Sequence, residues 1–404
     1  MRVLLVSDVY PPEIGSATKL MSELADEVAA RGHAVTVLTG WPFYKLAESH
    51  RTRRFSERMM EGAVQVLRVQ TLPLHNSNFI TRGFAQLFAP YQFWRVLKKH
   101  ESVPFDAVLV YSPPLPLASV GAWAKREGAR FVLNVQDIFP QNAIDLGILK
   151  NPLAIALFRW IERRAYMHAD VVTAHSDGNR ALLAAANPSI APKLTVLHNW
   201  VDMDVPSQAL HDFRETFGLK NKFIAVYGGV TGPAQGLEVI LDLAGRVRDL
   251  SDLVFLIVGE GTEKAKLEAR AKAEGLDNVV FRPFVAQDLY PSLLMSCDVG
   301  FLTLSPKMKT PVVPGKILGY MAMSLPVLAI VNRESDAHAI VHEADCGYAC
   351  YSDDPDEAEQ LVRKLYARRG ELVSMGSRGR AHALTSFSKS RIVDEIEALL
   401  GIGG

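Results

Sequence analysis

Cysteine is scarce: Cys297, Cys346 and Cys350 are the three in 404 residues. An odd, sparse set excludes a disulfide framework and fits a reducing compartment. Cys346 and Cys350 stand four apart, and no metal site is expected there. An excess of one charge is also missing. Lysine plus arginine and aspartate plus glutamate number 44 each, which gives no bias toward nucleic acid. No run approaches the ~20 apolar residues of a membrane span. The opening MRVLLVSDVY is too short for a signal peptide and is interrupted by Asp8. A cytoplasmic protein is expected, at most peripheral on the inner face of the membrane. The sequence further lacks GxGxxG after its first strand, GxxxxGK(S/T), HExxH, GxSxG and any repeat of solenoid length. Those absences argue against a nicotinamide or flavin dinucleotide site, a P-loop, a zinc protease motif and a nucleophile elbow.

What is present is an α/β pattern, written twice. Hydrophobic residues make up 49% of the chain and charged ones 22%, enough for two large cores. Arg2 to Ser7 reads as a buried parallel strand. A loop through Pro11, Pro12 and Gly15 follows, then a helix with Leu20, Leu24 and Val28 on one face. Gly32 supplies its left-handed C-terminal position, and Val35–Leu38 is the next strand. Further strands are predicted near 107–111, 130–135, 171–174 and 195–198. A polar stretch at 202–215 is the candidate linker. A second series begins at 223–227, followed by strands near 253–258, 279–281, 299–302 and 327–330. Strand–helix–strand units with short turns imply parallel sheets. The expected division is 1–205, 206–385 and a terminal amphipathic helix in 386–404 carrying Ile392, Ile396 and Leu400.

Several residues have chemistry suited to an anion. Gly15, followed by Ser16, lies where a strand hands over to a helix, so a phosphate could approach the bare backbone and free N–H groups. A plain turn glycine is the alternative. Pro314-Gly315-Lys316 opens an apolar helix: proline suits the first turn, glycine admits close approach, and Lys316 adds a full charge to the helix dipole. A solvent-facing lysine is the alternative there. Gly259 and Gly261 lie at the carboxyl end of a strand, where open α/β sheets bind ligands. Phe284 follows a strand and could lie against a base or in the core. Asp137 follows the apolar run FVLNV and is the titratable group of its motif, against the alternative of a helix N-cap. Asp145 and Glu162 have no comparable motif and are expected at the surface. The stretch 79–100 mixes aromatics with Arg82, Arg95, Lys98 and Lys99 and no acidic residue. It suits either a membrane surface or an internal helix with a basic last turn. The basic run Arg51, Arg53, Arg54 and Arg58 could extend that patch.

The ordered motifs SDVYPPEIGS, VQDIFPQ, LHNWVD, YGGVTGPAQGLE, VGEGTEK and VPGKILGYMAMSLPV resemble the retaining family 4 glycosyltransferases of the GT-B fold. The likeness covers nearly the whole chain and is strongest to bacterial enzymes adding acetamido-deoxy sugars, such as the N-acetylfucosamine transferases. It implies two Rossmann-like lobes facing across a cleft, an acceptor held by the first and a nucleotide-sugar by the second, and a C-terminal helix crossing back. By this resemblance Gly15, Ser16, Gly229, Gln235, Gly259, Gly261, Phe284, Pro314, Gly315 and Lys316 would bind the donor, and Asp137 would serve the reaction centre. Two departures stand out. Gly229 and Gln235 occupy positions where many members place an arginine and a lysine. Pro311 and Gly319 occupy those of two glutamates. The expected activity is metal-independent, cofactor-free transfer from a UDP-type donor to a glycan or polyprenyl-diphosphate-linked acceptor. A non-catalytic partner subunit and a UDP-sugar epimerase are the alternatives.

Overall fold

The computed structural model describes residues 1–42, 46, 55–71, 79–206 and 208–402, with the backbone alone for 79–84. Arg51, Arg53 and Arg54 of the basic run lie outside the described residues. The chain divides into two compact units: Met1–Ile144 with Leu149–Asn199 and Ser390–Gly404, and Asp145–Ile148 with Trp200–Lys389.

Among the described residues the first unit is built on β1 (Arg2–Val6), β2 (Ala34–Gly40), β3 (Arg58–Glu61), β4 (Val64–Val69), β5 (Ala107–Ser112), β6 (Arg130–Val135), β7 (Val171–Ala174) and β8 (Leu194–Val196). Their order is β3-β4-β2-β1-β5-β6-β7-β8. All neighbours run parallel except the β3–β4 hairpin. Its helices are α1 (Ser16–Ala30), α2 (Phe79–His100), α3 (Ala118–Arg126), α4 (Gln141–Asp145), α5 (Pro152–His168) and α6 (Asp177–Ala186). Leu4, Val6, Val108, Val110, Phe131 and Leu133 meet Phe93 and Leu97 of α2, Val120 of α3 and Tyr166 of α5 in one core. The alternate residues Val3 and Leu5 are buried on the opposite face, as a period of two requires.

The second unit holds β9 (Phe223–Gly228), β10 (Leu253–Val258), β11 (Val279–Arg282), β12 (Val299–Thr303), β13 (Val327–Val331) and β14 (Gly347–Tyr351). They form an all-parallel sheet in the order β11-β10-β9-β12-β13-β14. Helices α7 (Phe213–Thr216), α8 (Glu238–Arg246), α9 (Lys264–Ala273), α10 (Tyr290–Met295), α11 (Lys316–Ala322), α12 (Ala337–Glu343), α13 (Pro355–Ala367) and α14 (Leu372–Ser386) follow or connect the strands. Ile224, Val226, Leu256 and Val258 face a core with α11 and α12, while Phe223, Ala225, Phe255 and Ile257 face one with α8 and α13. Strands buried on both faces read as continuous apolar runs, which is why the central strands β9, β10, β12 and β13 are legible in the sequence.

Several local expectations shift. The buried stripe of α1 is Met21, Leu24, Ala25 and Val28, with Leu20 half-buried at its edge. Gly32 does adopt the left-handed conformation, φ 91°, where α1 ends. The β3–β4 hairpin and β14 were not anticipated. Strand β4 hides because Gln65 and Arg68 break its apolar run, although Arg68 is 1% exposed. The Arg68 guanidinium donates to the Glu61 carboxylate at 2.7 Å and to the Pro11 carbonyl at 2.9 Å. A buried arginine is tolerated only when so paired. Glu162 is the clearest correction: it is buried inside α5, held by Arg159 at 3.0 Å and the Tyr166 hydroxyl at 3.2 Å. Burial nonetheless pushes its carboxyl pKa up.

The final helix, α15 (Lys389–Leu400), buries Ile392, Val393, Ile396 and Leu400. Arg31, just past α1, donates to Asp394 at 2.6 Å and Glu397 at 2.8 Å, and to Glu27 at 3.2 Å. Arg31→Ala leaves Glu397 nearly buried without its strongest partner. The expected loss is about 1.5–3 kcal/mol, typical of hydrogen bonds to charged groups. Urea unfolding followed by circular dichroism checks it. A loss below about 0.5 kcal/mol would mean the cluster behaves as an ordinary surface pair.

Candidate functional site

In the second unit the site grows from two turns that touch. β9 ends at Gly228, whose N–H donates to the buried Tyr320 hydroxyl at 3.3 Å. The turn after β10 lies against the turn after β9: Gly229 N–H donates to the Val258 carbonyl at 2.9 Å and Thr231 N–H to the Glu260 carbonyl at 3.0 Å. A Cβ at Gly259 would lie 1.8 Å from the Gly229 carbonyl oxygen, and one at Gly261 2.3 Å from that of Thr231. The close approach these glycines permit is therefore to protein backbone. Gln235 is likewise engaged locally, its side-chain oxygen accepting from Gly232 N–H at 3.1 Å.

Lys316 begins α11 and reaches back to this turn. Its ammonium lies 4.7 Å from the centroid of the Tyr227 ring. A Cβ at Gly229, which sits at φ 146°, would come within 2.5 Å of Lys316 Cε. The bare glycine thus makes the space the lysine occupies. No carboxylate among the described residues forms an ion pair with Lys316, and desolvation pulls its pKa down to about 8. A cation held in a half-buried site against an aromatic face, without a counter-ion, is arranged to receive an anion. Pro314 is buried and Gly315 exposed, with open space where a Cβ would stand. Phe284 is 43% exposed beyond β11, so it is not a core aromatic. Gly319 also faces open space.

The loop ahead of Lys316 is held by residues that sequence reasoning missed. Asn332 donates its amide to the Met308 carbonyl at 3.1 Å and to that of Thr310 at 3.3 Å. Ser335 donates to the Val312 carbonyl. The signal was the polar cluster NRES directly after β13, at the carboxyl edge where function concentrates in such sheets.

In the first unit Gly15 and Ser16 are exposed at the start of α1, which has no side-chain cap and no acidic residue in its first turn. Its leading N–H groups are open to an anion. Gly15 itself is extended, φ 174°, and a Cβ there would meet only Thr18 Oγ1 at 3.8 Å. Asp137 lies two residues beyond β6 and is exposed. It does not cap α4, which begins at Gln141; its side chain instead faces Asn142 Nδ2 at 3.4 Å. Desolvation pushes the carboxyl pKa up, while the exposure of the side chain lets water screen that effect. Its neighbour Gln136 is locked by a reciprocal amide pair: Nε2 donates to Asn199 Oδ1 at 2.9 Å and Asn199 Nδ2 returns to Gln136 Oε1 at 2.7 Å. Gln136 also donates to Asn134 at 2.7 Å, and Asn134 to Thr173 at 3.1 Å. Asn199 sits in the LHNWVD motif, yet no sequence rule assigns it a partner 63 residues away.

Among the described residues no group of three His, Cys, Asp or Glu is placed to hold a metal ion. The three cysteines are buried and free. No described helix is long and apolar enough to cross a membrane. On α2, Leu87, Phe88 and Tyr91 are exposed while Ala89, Phe93 and Leu97 are buried.

Two family models match the chain in order, a glycosyl transferase 4-like domain over residues 15–200 and glycosyl transferases group 1 over 211–382. The putative colanic acid biosynthesis glycosyl transferase WcaI of Escherichia coli (strain K12) is 30% identical over 340 residues, 80% of this chain and 81% of that protein. Among solved structures, sucrose-phosphate synthase from Thermosynechococcus elongatus has a TM-score of 0.78 at 15% identity, covering 98% of each chain. HepE of Anabaena in complex with UDP has a TM-score of 0.70 at 19% identity, covering 99% of this chain and 100% of that one. At these identities the structural likeness speaks to the fold.

The glycine geometry sets up a paired test. Gly259→Ala forces a Cβ into the Gly229 carbonyl and is expected to destabilise the protein by about 3 kcal/mol or more. Gly315→Ala enters open space at φ −58° and is expected to change stability by less than about 0.5 kcal/mol. Chemical denaturation of both variants checks the contrast.

Proposed function

The chain belongs to the group 1 glycosyltransferases, with a glycosyl transferase 4-like domain ahead of the group 1 domain, and from that premise we propose that it moves a sugar from a nucleoside diphosphate to a glycan in surface polysaccharide assembly. UDP is the proposed nucleotide, an acetamido-deoxyhexose the proposed sugar, and a polyprenyl-diphosphate-linked glycan the proposed acceptor. The colanic acid biosynthesis for which WcaI is named and the UDP complex of HepE support that direction. The proposed setting is the cytoplasm, with α2 near the membrane surface.

The observation that carries the reading is Lys316, a desolvated ammonium beside a glycine turn with no carboxylate partner among the described residues. A diphosphate there would restore its charge partner, and the same contact would stabilise the negative charge that grows as the sugar leaves. Family members that hold the diphosphate through an arginine in the glycine turn cannot serve as a literal template. A side chain at position 229 would take the space of Lys316, so in this chain the charge reaches the same turn from α11. In the first unit, Gly15 and Ser16 at the open start of α1 are proposed as phosphate contacts in their own right. Asp137, exposed beyond β6, would orient the acceptor hydroxyl or stabilise positive charge on the anomeric carbon. In a retaining transfer the departing phosphate would accept the hydroxyl proton, which removes the need for a separate base. No metal or cofactor enters this scheme.

The pH dependence follows from the sign of the lysine shift. The folded protein binds the Lys316 proton less tightly than the unfolded chain, so its burial costs stability below about pH 8, and that cost is relieved as pH rises toward the ordinary 10.5. Binding of a diphosphate needs the charged form. UDP affinity is therefore expected to be steady below about pH 8 and to fall as pH rises through it, with proton uptake on binding near that pH. Lys316→Ala should weaken UDP by about tenfold to a hundredfold and flatten this profile. Titration calorimetry without metal, comparing UDP with GDP, ADP and TDP, reads all three effects. Equal UDP affinity in the Lys316→Ala variant would sink the donor-site reading. Unchanged turnover in Asp137→Ala would remove that residue from the reaction centre.

A further inference from the structure

Helix α5 has a face that the donor chemistry does not use. Its inward side is fixed: Ala165 and Tyr166 are buried against the unit's core, Phe158 is buried against the Phe139 ring, Glu162 is neutralised by Arg159, and Asn151 caps the start through Leu153 and Ala154 N–H groups. Outward, Leu153 is 80% exposed, Leu157 43%, Trp160 56% and Met167 55%. With Arg164 these residues recur at alternating steps of four and three, which places them on a single stripe along the helix. The stripe spans about 21 Å at 1.5 Å per residue. Isolated apolar residues on a surface are ordinary, but a continuous row including tryptophan is not.

The charges beside the stripe are of one sign. Arg163 and Arg164 are exposed, and the Arg164 guanidinium lies 4.8 Å over the Trp160 ring. Glu162, the helix's one carboxylate, is turned inward. At the C-terminal end Arg164, Arg126, Lys125 and Lys193 together depress the pKa of His168, after burial itself. Of these cations Lys125 is neutralised by Asp170 at 2.6 Å, and Lys193 donates to the Met167 and Ala169 carbonyls. A protein partner would need an acidic, apolar groove of matching length. An anionic lipid surface supplies both properties without a specific shape.

We propose that α5 lies in the headgroup boundary of an anionic bilayer, with Leu153, Leu157, Trp160 and Met167 inserted and Arg163 and Arg164 at the phosphates. The inference rests on the reading that the acceptor is lipid-linked, and it names α5, not α2, as the main anchor.

The test is flotation of the full chain with vesicles of phosphatidylcholine alone or with one third phosphatidylglycerol. Leu153→Ser/Leu157→Ser/Trp160→Ser and Arg163→Glu/Arg164→Glu are each compared with Leu87→Ser/Phe88→Ser/Tyr91→Ser on α2. The wild type is expected to float with anionic vesicles and far less with neutral ones. Each α5 variant should lose about tenfold or more in vesicle partitioning, and the α2 variant less. Folding of every variant is checked by its UDP-induced melting shift, which reads the donor site separately. If the α2 variant is lost while the α5 variants float like wild type, the inference is overturned and the lipid-linked reading stands. If the wild type floats with neither vesicle, both are overturned. Equal flotation with neutral and anionic vesicles overturns the assignment of the arginines to phosphates.

Discussion

No side chain fits between the backbones of Gly229 and Gly259, and the architecture of the second unit's carboxyl edge follows from that contact. The two turns after β9 and β10 stack because Gly259 lets the Gly229 carbonyl come closer than any Cβ would allow. With the first turn pressed down on the second, the space above Gly229 is left open. Lys316 enters it from α11 and rests on Tyr227. The ammonium gains an aromatic face but no carboxylate, a state that is costly without ligand and favourable with an anion present. Glycine here decides the position of a charge as well as the path of the chain.

The first unit solves a different problem, that of ordering a polar edge without charge. Asn134, Gln136, Asn199 and Thr173 join through amide and hydroxyl hydrogen bonds across β6, β7 and the segment after β8. Each buried amide found a partner, so the cost of removing it from water is offset. The result is a rigid base for Asp137, which itself stays in solvent. The chain's membership in the glycosyltransferases is what makes these two edges, one charged and one neutral, the proposed sites.

Exposure separates the two long helices flanking α3 in a way composition does not. Both α2 and α5 carry aromatics and arginines or lysines. Side chains at Phe93 and Leu97 turn α2 into the core for much of its length, whereas α5 leaves a full stripe outward. Glu162 reverses an expectation for the same reason. A carboxylate is assigned to the surface by its chemistry alone, yet here Arg159 and Tyr166 complete its hydrogen bonds and the interior accepts it.

The parallel α/β architecture, the strands of both sheets that are buried on two faces, the left-handed end of α1 at Gly32 and the terminal amphipathic helix were determined by the sequence, because period, apolar runs and turn chemistry act over a few residues. The start of α11 at Lys316, after Pro314 and Gly315, was legible for the same reason, whereas the backbone that Gly259 and Gly261 approach was not. The rest was decided by tertiary structure. That Gly229 exists to admit Lys316, that Gln136 answers to Asn199, that Asn332 holds the loop before α11 and that Arg68 is buried all depend on residues tens of positions apart. Which polar group is paired and which apolar face is left open is a property of contacts, and local pattern carries no record of contacts made at long range.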